Sequence, residues 1–379
     1  MWYDIIIIGA GPAGSRIAQR LSQLGYSVVV VEKNLSSGGD VCCTGILSRE
    51  CLSAFGLDNG LVLRQASSAK FLSPSGEYLR LCRQSPVAAI VDRVGLNVHL
   101  AKLAEASGAR YLFGARASDI SPQPDAVEVT LDGELEEAVL RAKAVVIATG
   151  FGSTLPAKLG LGEIKQFVLG AQAEVSINGI DEVEVYFDQR LTPGGFAWLV
   201  PTTDGRGLVG LLTRSQADSS LENLLASLAS QGKIASDHVV PSYDIVPLKP
   251  LPRTYADRVL VVGEAAGQVK PTTGGGVYYG LLCADIAAEV LEQALEASDF
   301  SAHVLSAYEQ KWRAKLNREL VIGYWARTLL ANLSNRRIDR LLHLAGKNGL
   351  PELIADGNSF SFDWHSRLLL KMVSSLIPF

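Results

Sequence analysis

The sequence predicts an α/β fold that carries an inserted antiparallel β-rich domain and ends in a helical C-terminal region. Three observations predict it. A strand, glycine turn, helix, strand pattern opens the chain; residues 165–254 alternate apolar and polar side chains; and the α/β style returns at 258–295 before residues 299–379 turn helical. At 379 residues the chain exceeds the ~100–200 of one domain. The expected division is a discontinuous nucleotide-binding domain at 1–164 and 255–298, a β-rich substrate domain at 165–254, and a helical region at 299–379. A short β excursion near 66–84 is expected to join the substrate domain.

Residues 4–8 (DIIII) are a short apolar run with β-branched residues, the pattern of a buried strand. The run ends in GAGPAG (residues 9–14), continues as SRIAQRLSQLG, a helical pattern closed by Gly25, and is followed by YSVVVVEK, a second buried strand reaching Glu32. This is a βαβ unit with Gly-x-Gly-x-x-Gly at its first turn and an acid at the end of its second strand, the fingerprint of a dinucleotide site. Each residue has a physical task. Gly9 makes the tight turn, Gly11 lets backbone approach a pyrophosphate, and Gly14 lets the helix lie close on the strand. The helix N-terminus offers free N–H groups to the anion, and Glu32 accepts hydrogen bonds from ribose hydroxyls.

Residues 92–108 carry an amphipathic helical pattern stopped by Gly108, followed by strand-like runs YLFGARASDIS and AVEVTLD and by RAKAVVIATG, a buried strand ending in glycine. After it, Leu155 and Pro156 stand where a second fingerprint needs glycine and helix, so no nicotinamide domain is expected there. In the β-rich stretch, VLGAQAEVSI, EVEVYFD, GFAWLVPT and GLVGLLT read as an antiparallel sheet with one covered face, interrupted by a helix near 219–232. RVLVVGEAAG is a further buried strand, and PTTGGGVYYGLLCADIAAEVLEQAL a glycine-rich turn running into a long helix. Pro351 and Gly357 read as breaks in the helical tail.

The formal charge of −4 gives no basic footprint, which excludes a nucleic-acid partner. The apolar run at the N-terminus has neither a basic flank nor a cleavage site, and no run approaches the ~20 residues of a membrane span, so a cytoplasmic protein with reduced thiols is expected. Three of five cysteines, Cys42, Cys43 and Cys51, fall within GGDVCCTGILSREC. The spacing makes neither a disulfide framework nor the Cys-x4-Cys pair of disulfide reductases, and the nearest His is His99, so no metal site is expected. A plain core reading suits Cys51, Cys82 and Cys283.

The first fingerprint, the later strand ending in Gly263-Glu264, and the glycine-rich helix start together resemble the FAD-binding, Rossmann-type fold of p-hydroxybenzoate hydroxylase-like flavoproteins. More narrowly, GGDVCCTGILS, LTPGGFAWLVP and GEAAGQVKPTTGGGVYYGL resemble the cysteine loop, the Pro-Gly-Gly-Tyr-x-Trp-x-Phe-Pro segment and the flavin-clamping segment of the geranylgeranyl reductase family. The match runs along nearly the whole chain and is least specific in the tail. It departs from the family pattern at Cys43 (Gly), Thr149 (Asp), Phe196 (Tyr), Val200 (Phe) and Glu264 (Asp). The resemblance implies FAD as cofactor, contacted by Gly9, Gly11, Ala13, Gly14, Glu32 and Lys33; by Cys43, Thr44, Gly45 and Arg93; by Thr149 and Gly150; and by Gly263, Glu264, Gly267, Pro271, Gly274, Gly275, Gly276 and Val277. It implies reduction of isolated C=C bonds in a prenyl chain, with the electron donor NAD(P)H or ferredoxin left open.

Such an alkene needs a hydride from reduced flavin and a proton from a placed acid. An ordinary thiol, pKa about 8.5, is mostly protonated at neutral pH, and Cys42 aligns with the family cysteine. Phe196 and Trp198 alternate onto one strand face and, through the resemblance, line an apolar substrate channel; the residues alone fit sheet core equally. Tyr278 and Tyr279 either face the flavin or pack the helix, and Lys270 is either a cation near the cofactor or a solvated loop residue. Leu369, Met372, Val373 and Leu376 repeat at helical spacing, a core-facing stripe or a peripheral membrane contact. A flavin monooxygenase or halogenase is the alternative; FAWLVP is close to the halogenase Trp-x-Trp-x-Ile-Pro, with Lys70 the candidate for its catalytic lysine. A non-catalytic flavoprotein binding a lipid or partner is a third reading. The sequence leaves the oligomeric state open, with a monomer slightly favoured.

Overall fold

A computed structural model describes residues 2–39, 41–57, 60–132, 138–236, 239–355 and 361–376. Two compact units emerge: Met1–Asp40, Val94–Gln166 and Pro247–Asn317 form the first, and Val41–Arg93, Phe167–Val246 and Arg318–Phe379 the second. The contact boundaries differ from the expected limits. Residues 41–93 group with the second unit, because their strands pair with one another and with that unit's sheet. The tail divides within the helix Ala302–Ala331.

In the first unit, strands Val259–Val261, Val139–Ile147, Trp2–Ile8, Val28–Glu32 and Arg110–Phe113 run parallel in that order. Their isoleucine and valine runs are almost fully buried on both faces, as a covered parallel sheet demands. An antiparallel pair, Arg116–Pro122 and Val127–Asp132, joins at Val139–Ile147. The helices Pro12–Gln23 and Val277–Ala297 pack on each other, tied by Arg16 and Asp285 at 2.7 Å. The hydrogen bonds align the carboxyl ends of three strands: Ala148 N–H donates to Ile8 O, and Val262 N–H to Ile147 O.

The second unit holds a seven-stranded sheet in the order Ser242–Pro247, Phe167–Ser176, Arg206–Thr213, Phe196–Pro201, Val183–Tyr186, Ser68–Leu72 and Tyr78–Cys82. Alternation sends Ala171, Ala173, Ala197, Leu199, Val209 and Leu211 to one face, under the helix Ala217–Ser230. On the other face a small sheet (Ile46–Ser48, Ala88–Val91, Val62–Ala66) packs Ile46, Ile90 and Ala66 against Val183, Val200 and Trp198.

One expectation changes here. Cys82 is exposed at the end of an edge strand rather than in the core, whereas Cys51 and Cys283 are fully buried. Burial pushes the Cys283 thiol well up, which leaves it inert. The helical tail does break at residues 348–349, between Asn335–Lys347 and Leu350–Ala355, and Pro351 sits in the first turn of the second helix, where its missing N–H costs nothing. Gly357 and the side chains of Met372, Val373 and Leu376 lie outside the described residues.

Lys70 belongs to an ion-pair network on the sheet. It lies 2.9 Å from Glu182 and 3.9 Å from Glu184, Arg80 lies 2.9 Å from Glu182, and Lys233 lies 2.6 Å from Glu184. Its pairing with Glu182 raises the Lys70 pKa and keeps the ammonium charged. For Glu182, burial pushes the pKa up, but hydrogen bonds from Lys70, Arg80 and Ser68 and the charge of Lys70 prevail and hold it at about 2. A carboxylate whose folded pKa lies below its unfolded value of about 4.3 stabilises the fold above that value and loses the contribution as pH falls through the folded one. The stability gap between wild type and Glu182→Gln, measured by urea unfolding, is therefore expected to be full at pH 6 and to close between about pH 4.3 and 2.

Candidate functional site

The candidate residues form two constellations, one in each unit. In the first unit, Gly9 has φ +110°, and a Cβ there would lie 2.3 Å from Ala148 O; one on Gly14 would lie 2.0 Å from Gly9 O. Neither position admits a side chain, so the turn clamps the helix onto the strand ends. Gly11 differs: a Cβ there meets nothing within 4 Å, which leaves bare backbone at the mouth of the turn. Gly11 is also the N-cap of Pro12–Gln23 and supplies no capping side chain, so the helix presents its first N–H groups outward, as an anion site requires. Glu32 accepts from Ala10 N at 2.8 Å and Asn34 N at 2.9 Å. Each of its oxygens keeps a lone pair for a ribose hydroxyl. Lys33 follows on the surface.

Ala13 lies against Gly263, where a Cβ would stand 3.1 Å from the Ala13 methyl. The turn Gly263–Ala266 is held by a residue the sequence reading missed. Buried Gln268 accepts from Gly263 N at 2.7 Å and donates to Tyr308 Oη at 2.8 Å. Glu264 is half-buried, and Gly267 (φ +72°) presses on Lys249 O, which a Cβ would approach to 2.4 Å. Pro271 is buried, and Gly274 N–H donates to Lys270 O at 2.9 Å, closing the turn before Gly276 caps the helix that begins at Val277. Thr149 and Gly150 are half-buried at the end of the middle strand. Lys270 is not a solvated loop residue: it is 6% exposed and lies along Gly275, where a Cβ would come within 2.9 Å of its Cε. Tyr278 and Tyr279 are buried and pack the helix. Two uncapped helix starts, an acid at the second strand and bare Gly11 backbone fit the pyrophosphate and ribose of FAD.

The second unit holds Cys42, Cys43, Thr44, Gly45, Arg93, Phe196 and Trp198. Gly45 has φ +69° and fixes the loop to a strand: Val91 N–H donates to Gly45 O at 2.9 Å, and a Cβ on Gly45 would lie 2.4 Å from Val91 O. Arg93, half-buried, opens the helix Arg93–Ala106. Thr44 and both cysteines are half-buried. The Cys42 thiol donates to Ser242 O at 3.5 Å, and Cys43 O accepts from Gln172 Nε2 at 3.3 Å. The loop is thus anchored on the edge of the seven-stranded sheet. Phe196 and Trp198 stand on one face with ring centroids 5.8 Å apart, and Phe187 and Phe71 extend the aromatic row. The glycines of the segment explain how the rings sit. Gly195 lets its strand start against Leu212 O, which a Cβ would approach to 1.6 Å, and Gly210 makes room for the Trp198 indole, 2.6 Å from where its Cβ would be. The Arg327 guanidinium covers Phe196 at 5.9 Å. Burial, then the charge of Arg214, lower its pKa to about 10.

The hydrogen bond from Cys42 to a carbonyl oxygen needs the S–H: a carbonyl accepts from a thiol and repels a thiolate. The sulfur thus meets the Ser242 carbonyl as a donor, on the sheet that also carries the aromatic row. Among the described residues no cluster of three His, Cys, Asp or Glu is placed to hold a metal, and no helix is long and apolar enough to cross a membrane.

Known proteins share this sequence pattern and fold. The lycopene cyclase protein family matches residues 88–344, and the FAD dependent oxidoreductase family matches residues 4–158. A digeranylgeranylglycerophospholipid reductase of Methanothermobacter thermautotrophicus is 31% identical over 92% of this chain and 93% of its own length. Among solved structures, a geranylgeranyl bacteriochlorophyll reductase-like protein of Thermoplasma acidophilum superposes with a TM-score of 0.86 at 22% identity, covering 99% of both chains. A p-nitrophenol 4-monooxygenase of Pseudomonas putida shares the fold at a TM-score of 0.75 and 18% identity over 98% of both chains.

The two fingerprint glycines are expected to fail differently. Gly14→Ala forces backbone apart and lowers both melting temperature and flavin content. Gly11→Ala has room for its methyl, so the melting temperature of the flavin-free protein should hold while bound flavin drops by at least about tenfold, measured as flavin per protein after dialysis.

Proposed function

The chain belongs to the geranylgeranyl reductase family of FAD-dependent oxidoreductases, and to the lycopene cyclase protein family that spans residues 88–344, and from that premise we propose that it saturates isolated C=C bonds in the prenyl chain of a lipid or quinone. FAD, when bound and reduced, supplies the hydride. Everything else falls to this chain's own residues. Gly9, Gly11, Gly14, Glu32 and the 263–277 segment hold the cofactor. Phe196 and Trp198 hold the prenyl chain by shape and dispersion, since an alkene offers no polar handle.

The proton comes from Cys42. No carbonyl polarises an isolated alkene, so the acid must sit in place and be protonated before the reaction starts. The single observation that carries this reading is the Cys42 S–H donated to Ser242 O on the same sheet as the aromatic row. The halogenase alternative lacks its lysine: Lys70 is engaged by Glu182 and Glu184. The reductant is a nicotinamide cofactor or a ferredoxin, and a prenyl-lipid substrate favours peripheral contact with a membrane.

Anaerobic mixing of the flavin-reduced enzyme with a geranylgeranyl lipid or polyprenyl quinone should reoxidise the flavin and add two mass units per bond reduced. Reoxidation only with O2, with oxygenated product, would sink the reading. Cys42→Ala is expected to keep its flavin and lose alkene reduction by about 10²-fold or more, whereas Cys82→Ser, at an exposed edge, should match wild type.

A further inference from the structure

Three residues form one row across three strands. Gln172 is in register with Gly210, and Gly210 with Trp198. The indole of Trp198 lies over the bare Gly210, with Cζ2 and Cε2 2.6 and 2.7 Å from where a Cβ would be. Nε1 is bonded to Cε2, so the indole N–H also lies near Gly210, one strand spacing of about 4.8 Å from Gln172. Gln172 is 4% exposed, and its amide orientation is fixed: Nε2 donates to Cys43 O, and a flipped amide would set oxygen against oxygen. That leaves Gln172 Oε1 an acceptor and Trp198 Nε1 a donor, both buried and neither with a hydrogen-bond partner among the described residues.

Orphaned buried polar atoms are destabilising, and a donor and an acceptor one strand apart are what a single water satisfies. We propose that Gln172 and Trp198 hold one water beside the cysteine loop, and that this water returns the proton to Cys42 after each reduction. The inference rests on Cys42 being the proton donor. The loop is tied to this row twice: Gln172 Nε2 holds Cys43, and Ser242, whose carbonyl accepts the Cys42 thiol, donates its hydroxyl to Gln172 O at 3.3 Å.

The protons balance. Reduction takes one hydride and the thiol proton, leaving Cys42 as thiolate. The water gives a proton to the sulfur and takes one from bulk solvent, so it is regenerated. Gln172 and Trp198 neither gain nor lose a proton. They are positioning residues, one accepting from the water and the other donating to it.

The assignment separates the first turnover from those that follow, because the enzyme starts with its thiol loaded. The test uses full-length, FAD-loaded Gln172→Met, which keeps the side-chain volume but loses the polar atoms. Flavin content and melting temperature establish that it folds. The variant is reduced with dithionite, mixed anaerobically with geranylgeranyl lipid and quenched over time, with flavin re-reduction followed by absorbance. The first bond should be reduced within about twofold of the wild-type rate, and later ones about tenfold slower. First and later turnovers slowed together, a raised KM alone, or no change at all would overturn the water assignment. Cys42→Ala run alongside separates the two failures: a normal first turnover there removes the thiol as donor, and this inference with it.

Discussion

Both constellations depend on one steric constraint, a missing Cβ where another group must pass. At Gly9 and Gly14 the group is backbone, and its closeness brings the strand ends and the helix start to the same point. At Gly195 it is again backbone, and at Gly210 it is an indole ring. In each case the added carbon would stand well inside contact distance of an atom that has no freedom to move. The glycines therefore set where helix dipoles and aromatic rings point, and the polar chemistry is built on those directions.

A thiol is suited to the role of acid proposed for Cys42 in the second unit. A carboxylic acid among aromatic rings would carry a desolvation penalty whenever it ionised, and a lysine would carry it throughout its working state. A thiol is small and nearly apolar when protonated, and the carbonyl of Ser242 favours that form further. Several charged groups of the same sheet pair with one another in the Glu182–Glu184–Lys70–Lys233 network.

Local pattern was enough for the first unit. Uninterrupted IIII and VVVV runs, glycine spacing and an acid at the second strand's end report on neighbours a few residues away, and the parallel sheet follows. The cysteine loop was less legible, because its setting is made by pairings distant in sequence: Ile46 with Ile90, and Gln172 with Cys43. Cys82 illustrates the same limit, since a cysteine's burial depends on whether its strand is an edge. The sequence left Lys270 open between a cofactor-side cation and a solvated residue because nothing in PTTGGG says that the turn folds back along its side chain. Gln172 and Gln268 hid in apolar surroundings, where a single amide alters no periodicity.

Those two glutamines share a physical role. Each is buried, and each joins backbone from one element to a polar group on another: Gln268 between Gly263 N–H and Tyr308, Gln172 from its own strand to Cys43 O. An amide is suited to this, since it offers donor and acceptor at fixed geometry without charge. Gln268 uses both ends on protein and stiffens its turn. Gln172 uses only the donor and leaves its oxygen toward the face that carries Trp198. A buried amide with one end committed to the cysteine loop and the other unmatched is poorly explained as scaffold, because leucine or methionine would fill the same volume without the desolvation cost. Its retention there makes sense if the unmatched oxygen is filled during turnover.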